Sequence, residues 1–344
     1  MPHPELFSPG EYIDDLKMSR PRKPMHEAAS FTFPSRIHVT PIDCNRFAFG
    51  VPGGGGVGFA IEMENYLRLH LCETDSVDAL PRHVPVLEHY VALAKKVLAY
   101  DGGIGVECRL ASVLAKHSGL GSNVGLASAC MQGVNFMFGE ALSIQEIRRL
   151  VAQNFVEECE GSLSRGLETG VGTQVILAGG TCVVGDSTVL LYEGHCLDGL
   201  PVMLLFPEAP RPEQDKPESL EMLRRSVLLD ESYRYIRAYR VMMELVPAME
   251  RCDLTRVGDV VWDFQFSGTH LSMIQSCLDG GLEIYRTLIA LRAAGVEIVG
   301  MSSVGPCVYA MGAKVDSAVS TAEELGIGYV ATSVAARGVR PIDP

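Results

Sequence analysis

The stretch that most constrains this chain is KHSGLGSNVGLASACMQGVNFMFG, residues 116–139. It opens with a small-residue loop, Ser118-Gly119-Leu120-Gly121-Ser122-Asn123, and runs into Val124, Leu126, Ala127, Ala129, Cys130 and Met131, which read as a buried helix. Glycines let backbone approach a ligand without a Cβ in the way. The first N–H groups of the helix, at the positive end of its dipole, then form an anion site. Ser122 or Asn123 is a natural N-cap, and the Ser122 hydroxyl suits a phosphate or its metal ion. Lys116 and His117 stand just ahead, where a cation would help hold a phosphate. The plainer alternative is a loop that only starts a tightly packed helix. No Gly-Lys-Ser/Thr closes the loop, so it is not a Walker A sequence. Gly119, Gly121 and Gly125 miss the G-x-G-x-x-G spacing of a dinucleotide fingerprint.

A chain of 344 residues is long enough for one large domain or two lobes. Apolar residues at 47% and charged residues at 21% are ordinary for a globular protein, and no run of 18 apolar residues suggests a membrane span. The N-terminus is polar and acidic, unlike a secretory signal. Ten cysteines are scattered without a C-x-x-C pair, which argues against zinc and for a reducing, cytoplasmic setting. The net charge of −13 argues against nucleic-acid binding. It also means that a polyanion would need locally concentrated cations and a metal ion. Lys17, Arg20, Arg22 and Lys23 supply such a cluster, followed by Arg36, His38 and Arg46.

Residues 1–30, rich in Pro and charge, read as a loosely docked arm. FTFPSRIHVTPID and FAIEMENYLRLHL alternate as strands on either side of a glycine run, 53–56, which reads as a turn or a second place where backbone meets ligand. Arg36 and His38 lie two apart and so on one strand face, where they suit a shared anionic target; Asp43 ends the same polar set. Residues 82–100 have a helical period, Val106–Leu110 reads as a strand, and residues 143–161 read as an amphipathic helix ending at Gly161. Glu157, Glu158 and Glu160 crowd its end as a solvated acidic turn, with one of them positioned for Mg²⁺. Thr169, Gly170, Gly172 and Thr173 suggest a second ligand-facing loop, and the first lobe closes near Gly194. A buried strand at 201–206 starts the second lobe, followed by an exposed loop at 207–218. Helices fill 219–250 and 254–294, and a Gly/Ser turn at 300–305 feeds an apolar strand. A helix at 316–325 and a strand at 329–333 close the chain. Mixed strands and helices in two lobes give the α+β class.

GLGSNVGLASA resembles the glycine-rich phosphate loop of the GHMP superfamily. RIHVTPID with its glycine run, KHSGLGSNVGLASA and GMSSVGPCVYA resemble the three signature regions of that superfamily, in order, over about residues 31–335. They are similar more narrowly to the β-ribofuranosylaminobenzene 5′-phosphate synthase family, through Arg36/His38, Gly119/Gly121/Ser122, Gly170/Gly172/Thr173 and Ser302/Ser303/Gly305/Pro306/Val308/Tyr309. The resemblance implies a two-lobed GHMP-kinase-like fold, with an arm at 1–30, an N-terminal lobe at 31–195 and a C-terminal lobe at 196–344. Kinases resembling mevalonate kinase carry Pro-Ser-Gly-x-Asp in the third loop. The matching frame here is Glu168-Thr169-Gly170-Val171-Gly172, with glycine where the acid would be.

The resemblance further implies a reaction in which phosphoribosyl pyrophosphate joins an aromatic carboxylic acid through a C–C bond, with loss of pyrophosphate and CO₂ and with Mg²⁺ as cofactor. Pro41, Cys44, Val304 and the basic arm depart from enzymes that act on 4-hydroxybenzoate. They incline the expectation towards the C-glycoside synthases of C-nucleoside antibiotic (formycin, pyrazofurin) biosynthesis, whose acceptor is 4-amino-1H-pyrazole-3,5-dicarboxylate. On this basis Lys116, His117, Gly119, Leu120, Gly121, Ser122 and Asn123 hold pyrophosphate. Arg36, His38 and Asp43 act on the second substrate or the metal, and Gly170, Gly172, Thr173, Ser302, Ser303 and Gly305 line the sugar phosphate and ring. Ser122 and Glu158 are the metal candidates, and a homodimer is the expected assembly. The alternatives are a benzoate-using synthase of the same family, an ATP-dependent small-molecule kinase and a non-catalytic GHMP-like regulator.

Overall fold

The computed structural model describes residues 22–46, 51–111, 118–159, 162–209, 217–276 and 280–342. Lys17, Arg20, Lys116, His117 and Glu160, all singled out above, lie outside them.

β1 (Ala28–Pro41) begins three residues inside the stretch read as an arm, and pairs antiparallel with the long β2 (Gly56–Cys72). β3 (Ser76–Asp78), α1 (Val84–Leu98) and β4 (Gly103–Arg109) follow, and β4 lies antiparallel along β2. α2 (Ser122–Met137) and α3 (Ile144–Gln153) lead into a hairpin of β5 (Val156–Cys159) and β6 (Ser162–Arg165). α4 (Val171–Ala178) is followed by β7 (Thr181–Val184) and β8 (Leu190–Gly194), which extend the first sheet from β2. The C-terminal half has β9 (Pro201–Phe206) and α5 (Pro217–Arg240). α5 continues through a wider π turn, Val241–Leu245, into α6 (Val246–Glu250). α7 (Leu254–Phe264), α8 (Gly268–Ser276), α9 (Gly280–Ala293), β10 (Ile298–Met301), β11 (Val308–Met311), α10 (Asp316–Leu325), β12 (Gly328–Ser333) and β13 (Arg340–Ile342) complete it.

The strands form a seven-stranded sheet, built on the order β13-β1-β2-β4-β3, and a four-stranded sheet ordered β10-β11-β9-β12. β13 returns to pair with β1, so the end of the chain closes the first sheet. One core lies between that sheet and α1 and α2, with Leu67, Leu69, Leu87, Leu126 and Met131 fully buried. A second joins the two halves: Ile37, Val39, Val57 and Phe59 of the first sheet meet Leu204, Val260, Phe264 and Tyr309. Each such side chain contributes roughly 1.5–3 kcal/mol, so the second core fixes how β1 sits against the C-terminal half. Gly133 lets α2 lie close on the sheet, since a Cβ there would meet Leu67 and Phe31 at 3.3 Å. The expected role of the cysteines as small hydrophobes holds for Cys44, Cys108, Cys130, Cys182 and Cys307, all buried; burial pushes the Cys44 thiol up to about 12.

Two local expectations change. The helix expected over 143–161 starts with a capping box, in which Ser143 and Glu146 bond each other's backbone N–H, but ends at Gln153. Asn154 turns its Nδ2 onto the Leu150 carbonyl at 2.9 Å, and the apolar pair Phe155-Val156 is buried as the chain enters the hairpin. The N-cap of α2 is Gly121, not Ser122 or Asn123. Gly121 takes φ +71°, where glycine alone is unstrained, and among the described residues no side chain caps the helix. Among the described residues no helix is long and apolar enough to cross a membrane.

Candidate active site

The alternation of β1 puts Arg36 and His38 on one face, beneath the N-termini of both α2 and α4. Their partners across the ladder are Ala60 and Gly58. Part of the glycine run makes room here: a Cβ on Gly56 would stand 2.9 Å from His38 Nε2. The expected turn occupies Gly53–Gly55, while Gly56 and Gly58 belong to β2.

The phosphate-loop candidate is laced to this strand and to the Gly/Ser turn. Arg36 Nη1 donates to the Gly119 carbonyl at 2.9 Å, and Ser302 Oγ donates to the same oxygen at 2.7 Å. Ser302 Oγ accepts from the His38 N–H at 3.2 Å, and the Ser303 N–H donates to the His38 carbonyl at 2.9 Å. The Cys307 N–H donates to the Ser118 carbonyl at 3.3 Å. Gly119 must be glycine, because a Cβ there would lie 2.5 Å from the Ser302 carbonyl oxygen at φ +85°. Gly121 must be too, because a Cβ would lie 2.6 Å from Arg36 Nε. The carbonyls of the loop are thus held from behind. Its next N–H groups, from Ser122 onward, begin a helix that no side chain caps among the described residues and that has no acidic residue in its first turn. Ser122 and Asn123 are half-buried at this opening.

The second helix N-terminus is closed. Glu168 Oε1 accepts from the Gly170 N–H at 3.0 Å and the Gly172 N–H at 3.2 Å, so an internal carboxylate occupies the place an anion would take on α4. Burial pushes the Glu168 carboxyl up, while Arg36 and the two amides pull it back. Burial lowers the Arg36 guanidinium, and Glu168 and Glu157 oppose that shift. Gly172 serves packing: a Cβ there would meet both Val124 methyls at 2.8 Å, so α2 and α4 cross at this glycine. Gly170 takes φ +86° at the N-cap of α4. Thr173 is fully buried, and its hydroxyl has no partner among the described residues. Gly172→Ala should therefore destabilise by overpacking, by about 1–3 kcal/mol, with the loss seen as an earlier urea midpoint.

The structure therefore brings together Arg36, His38, Gly119, Leu120, Gly121, Ser122, Asn123, Gly170, Gly172, Ser302, Ser303 and Gly305. Ser302 is fully buried and its hydroxyl is engaged at both ends, so it braces the loop. Asp43 stands apart, beyond the end of β1. It accepts from the Arg234 Nη1 at 3.3 Å and from the Asn45 N–H at 3.0 Å. Glu158 is buried and its charge acts on His83, whereas Glu157, its neighbour along β5, acts on Arg36. Among the described residues no cluster of three His, Cys, Asp or Glu could cage a metal ion. A Mg²⁺ carried by phosphates needs only one or two protein donors, and the half-buried Ser122 hydroxyl at the mouth of α2 fits that lesser demand.

Sequence reading passed over Glu168, although a carboxylate two residues ahead of a Gly-x-Gly helix start signals a capping group. It also passed over the buried set behind β1. There Arg237 pairs with Asp230 at 2.5 Å and donates to the Ile42 carbonyl at 2.9 Å. Asp230 also accepts from Thr269 at 2.8 Å and from the Cys44 N–H at 3.2 Å. His270 lies in the same interior, with both ring nitrogens buried.

Burial, with Arg36, His270 and Arg237 adding repulsion, holds the His38 imidazole well below 6.5, so it is neutral near pH 7, with Nε2 3.4 Å from Thr169 Oγ1. Burial and Arg237 bring His270 down to about 4. In the unfolded chain both regain ordinary values near 6.5. Below that pH the unfolded state binds more protons, so stability is fully present above about 6.5 and is lost as pH falls through it, by up to ~1.4 kcal/mol per pH unit for each histidine. Urea midpoints should thus drop between about pH 7 and about pH 5, and His270→Leu should flatten the decline; parallel slopes would assign it elsewhere.

No protein-family model matches the chain. Two curated relatives are β-ribofuranosylphenol 5′-phosphate synthases. That of Archaeoglobus fulgidus is 24% identical over 295 residues, covering 81% of this chain and 86% of the relative. That of Methanocaldococcus jannaschii is 24% identical over 315 residues, covering 82% and 88%. Among solved structures, homoserine kinase from Cytophaga hutchinsonii superposes with a TM-score of 0.63 at 15% identity, over 94% of this chain and all of that one. Mevalonate diphosphate decarboxylase from Staphylococcus aureus gives 0.66 at 13%, over 92% and 98%. Mevalonate kinase from L. major gives 0.64 at 11%, over 92% and 100%.

The fold is that of the GHMP kinases. Within the GHMP-kinase fold, the open end of α2 and the closed end of α4 lie side by side at Gly172. The acid expected of a mevalonate-kinase-like third loop is absent from its frame, and the nearby carboxylate of Glu168 is bonded to backbone amides.

Proposed function

We propose that the protein is a decarboxylating C-ribosyltransferase that joins phosphoribosyl pyrophosphate to an aromatic carboxylic acid. The observation that carries this reading is the uncapped N-terminus of α2, pinned by Arg36 and Ser302, beside an α4 whose own N-terminus Glu168 already fills. The similarity to two β-ribofuranosylphenol 5′-phosphate synthases over most of both chains supports it.

In the proposed reaction the C1–O bond of the ribose breaks with its electron pair leaving on pyrophosphate. The N–H groups of Ser122 and Asn123, the helix dipole and the Arg36 charge stabilise that departing anion, with Lys116 and His117 preceding them in the chain. A ring carbon that bears a carboxylate supplies the pair for the new C1–C bond, and loss of CO₂ returns a pair to the ring. No covalent nucleophile and no alcohol deprotonation are required, in keeping with a third-loop frame that has Gly172 where mevalonate-kinase-like enzymes carry an acid and whose Glu168 is bonded to backbone amides. Neutral His38 and the Gly170, Ser303 and Gly305 backbone bound the space for sugar and ring. Mg²⁺ bound with the pyrophosphate would neutralise its charge, with Ser122 as the protein donor; Glu157 is better placed than Glu158 to assist.

For the acceptor we propose 4-amino-1H-pyrazole-3,5-dicarboxylate, on the departures at Pro41, Cys44 and Val304 and the cationic arm. Mass spectrometry of reactions offered this acid and 4-hydroxybenzoate-type acids in parallel decides it. The expected product is the pyrazole C-riboside 5′-phosphate, lighter than the simple adduct by one CO₂. Product only with the benzoates would make the chain a benzoate-using synthase of the same family. ADP formed from ATP without phosphoribosyl pyrophosphate would make it a kinase.

A further inference from the structure

The outward face of α5 and its π turn is apolar. Between Leu228 and Met243 nine residues are exposed, and seven of them are Leu, Ile, Tyr or Met. Leu228 is 71% exposed, Tyr235 68%, and Tyr239 and Met243 61% each. They recur as adjacent pairs seven residues apart: Leu228-Leu229, Tyr235-Ile236 and Met242-Met243. Seven residues are almost two helical turns, so the pairs stand in one line. Side chains of this size at these exposures present on the order of 800 Å², the area each partner contributes to a standard stable interface.

The spacing is also symmetric about the midpoint between Tyr235 and Ile236. A face that reads alike from either end is complementary to itself under a two-fold axis. We propose that α5 pairs antiparallel with α5 of a second copy of this chain, with the axis between Tyr235 and Ile236. Leu228 then meets the partner's Met243 and Leu229 the partner's Met242. Glu231, exposed at the edge of the stripe, comes opposite the partner's Arg240, whose guanidinium is bonded within its own chain to Glu244 and Asp263, so the pairing rests on the apolar stripe. The inner face of the same helix carries Asp230, Arg234 and Arg237, which hold Ile42–Cys44. α5 therefore forms the layer between the interface and Asp43, and pairing would steady that segment from behind.

Sedimentation of the full chain tests this. The wild type should sediment at twice the chain mass of 37.2 kDa. Tyr235→Glu/Ile236→Glu should sediment as a single chain with an unchanged circular dichroism spectrum. A monomeric wild type, or a folded variant that remains dimeric, overturns the proposal. Should the glutamates prevent folding, Leu228→Cys/Met243→Cys decides it. Mild oxidation should give a covalent dimer on a non-reducing gel well above the wild-type background, and no gain over that background overturns the antiparallel pairing.

Discussion

Replacing Gly121 by alanine should lower kcat/KM for phosphoribosyl pyrophosphate by about a hundredfold or more, as expected when a preorganised anion site is disturbed. The new Cβ would lie 2.6 Å from Arg36 Nε and 3.0 Å from its Cζ, at a residue whose φ of +71° already excludes an unstrained alanine. Both conflicts are relieved the same way, by moving Arg36 or rotating the loop, and either change displaces the first N–H groups of α2 from the pyrophosphate. The fold should suffer less, because Gly121 is half-buried and the core residues Val124 and Leu126 lie further along α2. Initial rates of pyrophosphate release, set beside the melting temperature, separate the two. A variant that keeps its turnover would remove this loop from the leaving-group site.

The largest loss of stability should come from Arg237→Ala. Arg237 and Asp230 have side chains 1% and 0% exposed and pair at 2.5 Å. Removing the cation leaves a carboxylate in the interior with, among the described residues, only Thr269 and the Cys44 N–H for partners, and frees the Ile42 carbonyl. Breaking a buried pair in this way costs about 3–5 kcal/mol. Replacing both partners by apolar side chains should cost much less, since no buried charge is then stranded. Urea denaturation of the single and double variants measures the difference. Equal losses would mean that the pair acts through shape and not through charge.

How much of this was legible in the sequence depends on the range of the interactions involved. Strand, glycine loop and buried helix around Gly119–Met131 follow from local spacing, and so do α10 and β12, because period and punctuation are properties of neighbouring residues. The convergence of Arg36, Gly119 and Ser302 was legible only through the resemblance of three motifs far apart in the chain; nothing local says that Ser302 Oγ donates to the Gly119 carbonyl. The N-cap of α2 was misplaced, since Ser122 and Asn123 have capping side chains, but the close approach of Arg36 forces the turn onto Gly121. The helix read through 143–161 ran too far, because the burial of Phe155 and Val156 that turns the chain into a hairpin depends on tertiary contacts. Asp230 and Arg237 lie seven apart in a stretch that reads only as helix. Their burial depends on Ile42, Cys44 and Thr269, which no pattern within α5 reveals.

The decisive measurement is pyrophosphate and CO₂ released together when the protein is given phosphoribosyl pyrophosphate, Mg²⁺ and aromatic carboxylic acids, the pyrazole dicarboxylate among them. Equal amounts of both, appearing only when donor and acceptor are present, are the predicted result. Neither product with any acid would contradict the C-ribosyltransferase reading. Pyrophosphate without CO₂ would contradict the carbon–carbon bond at the carboxylate-bearing position.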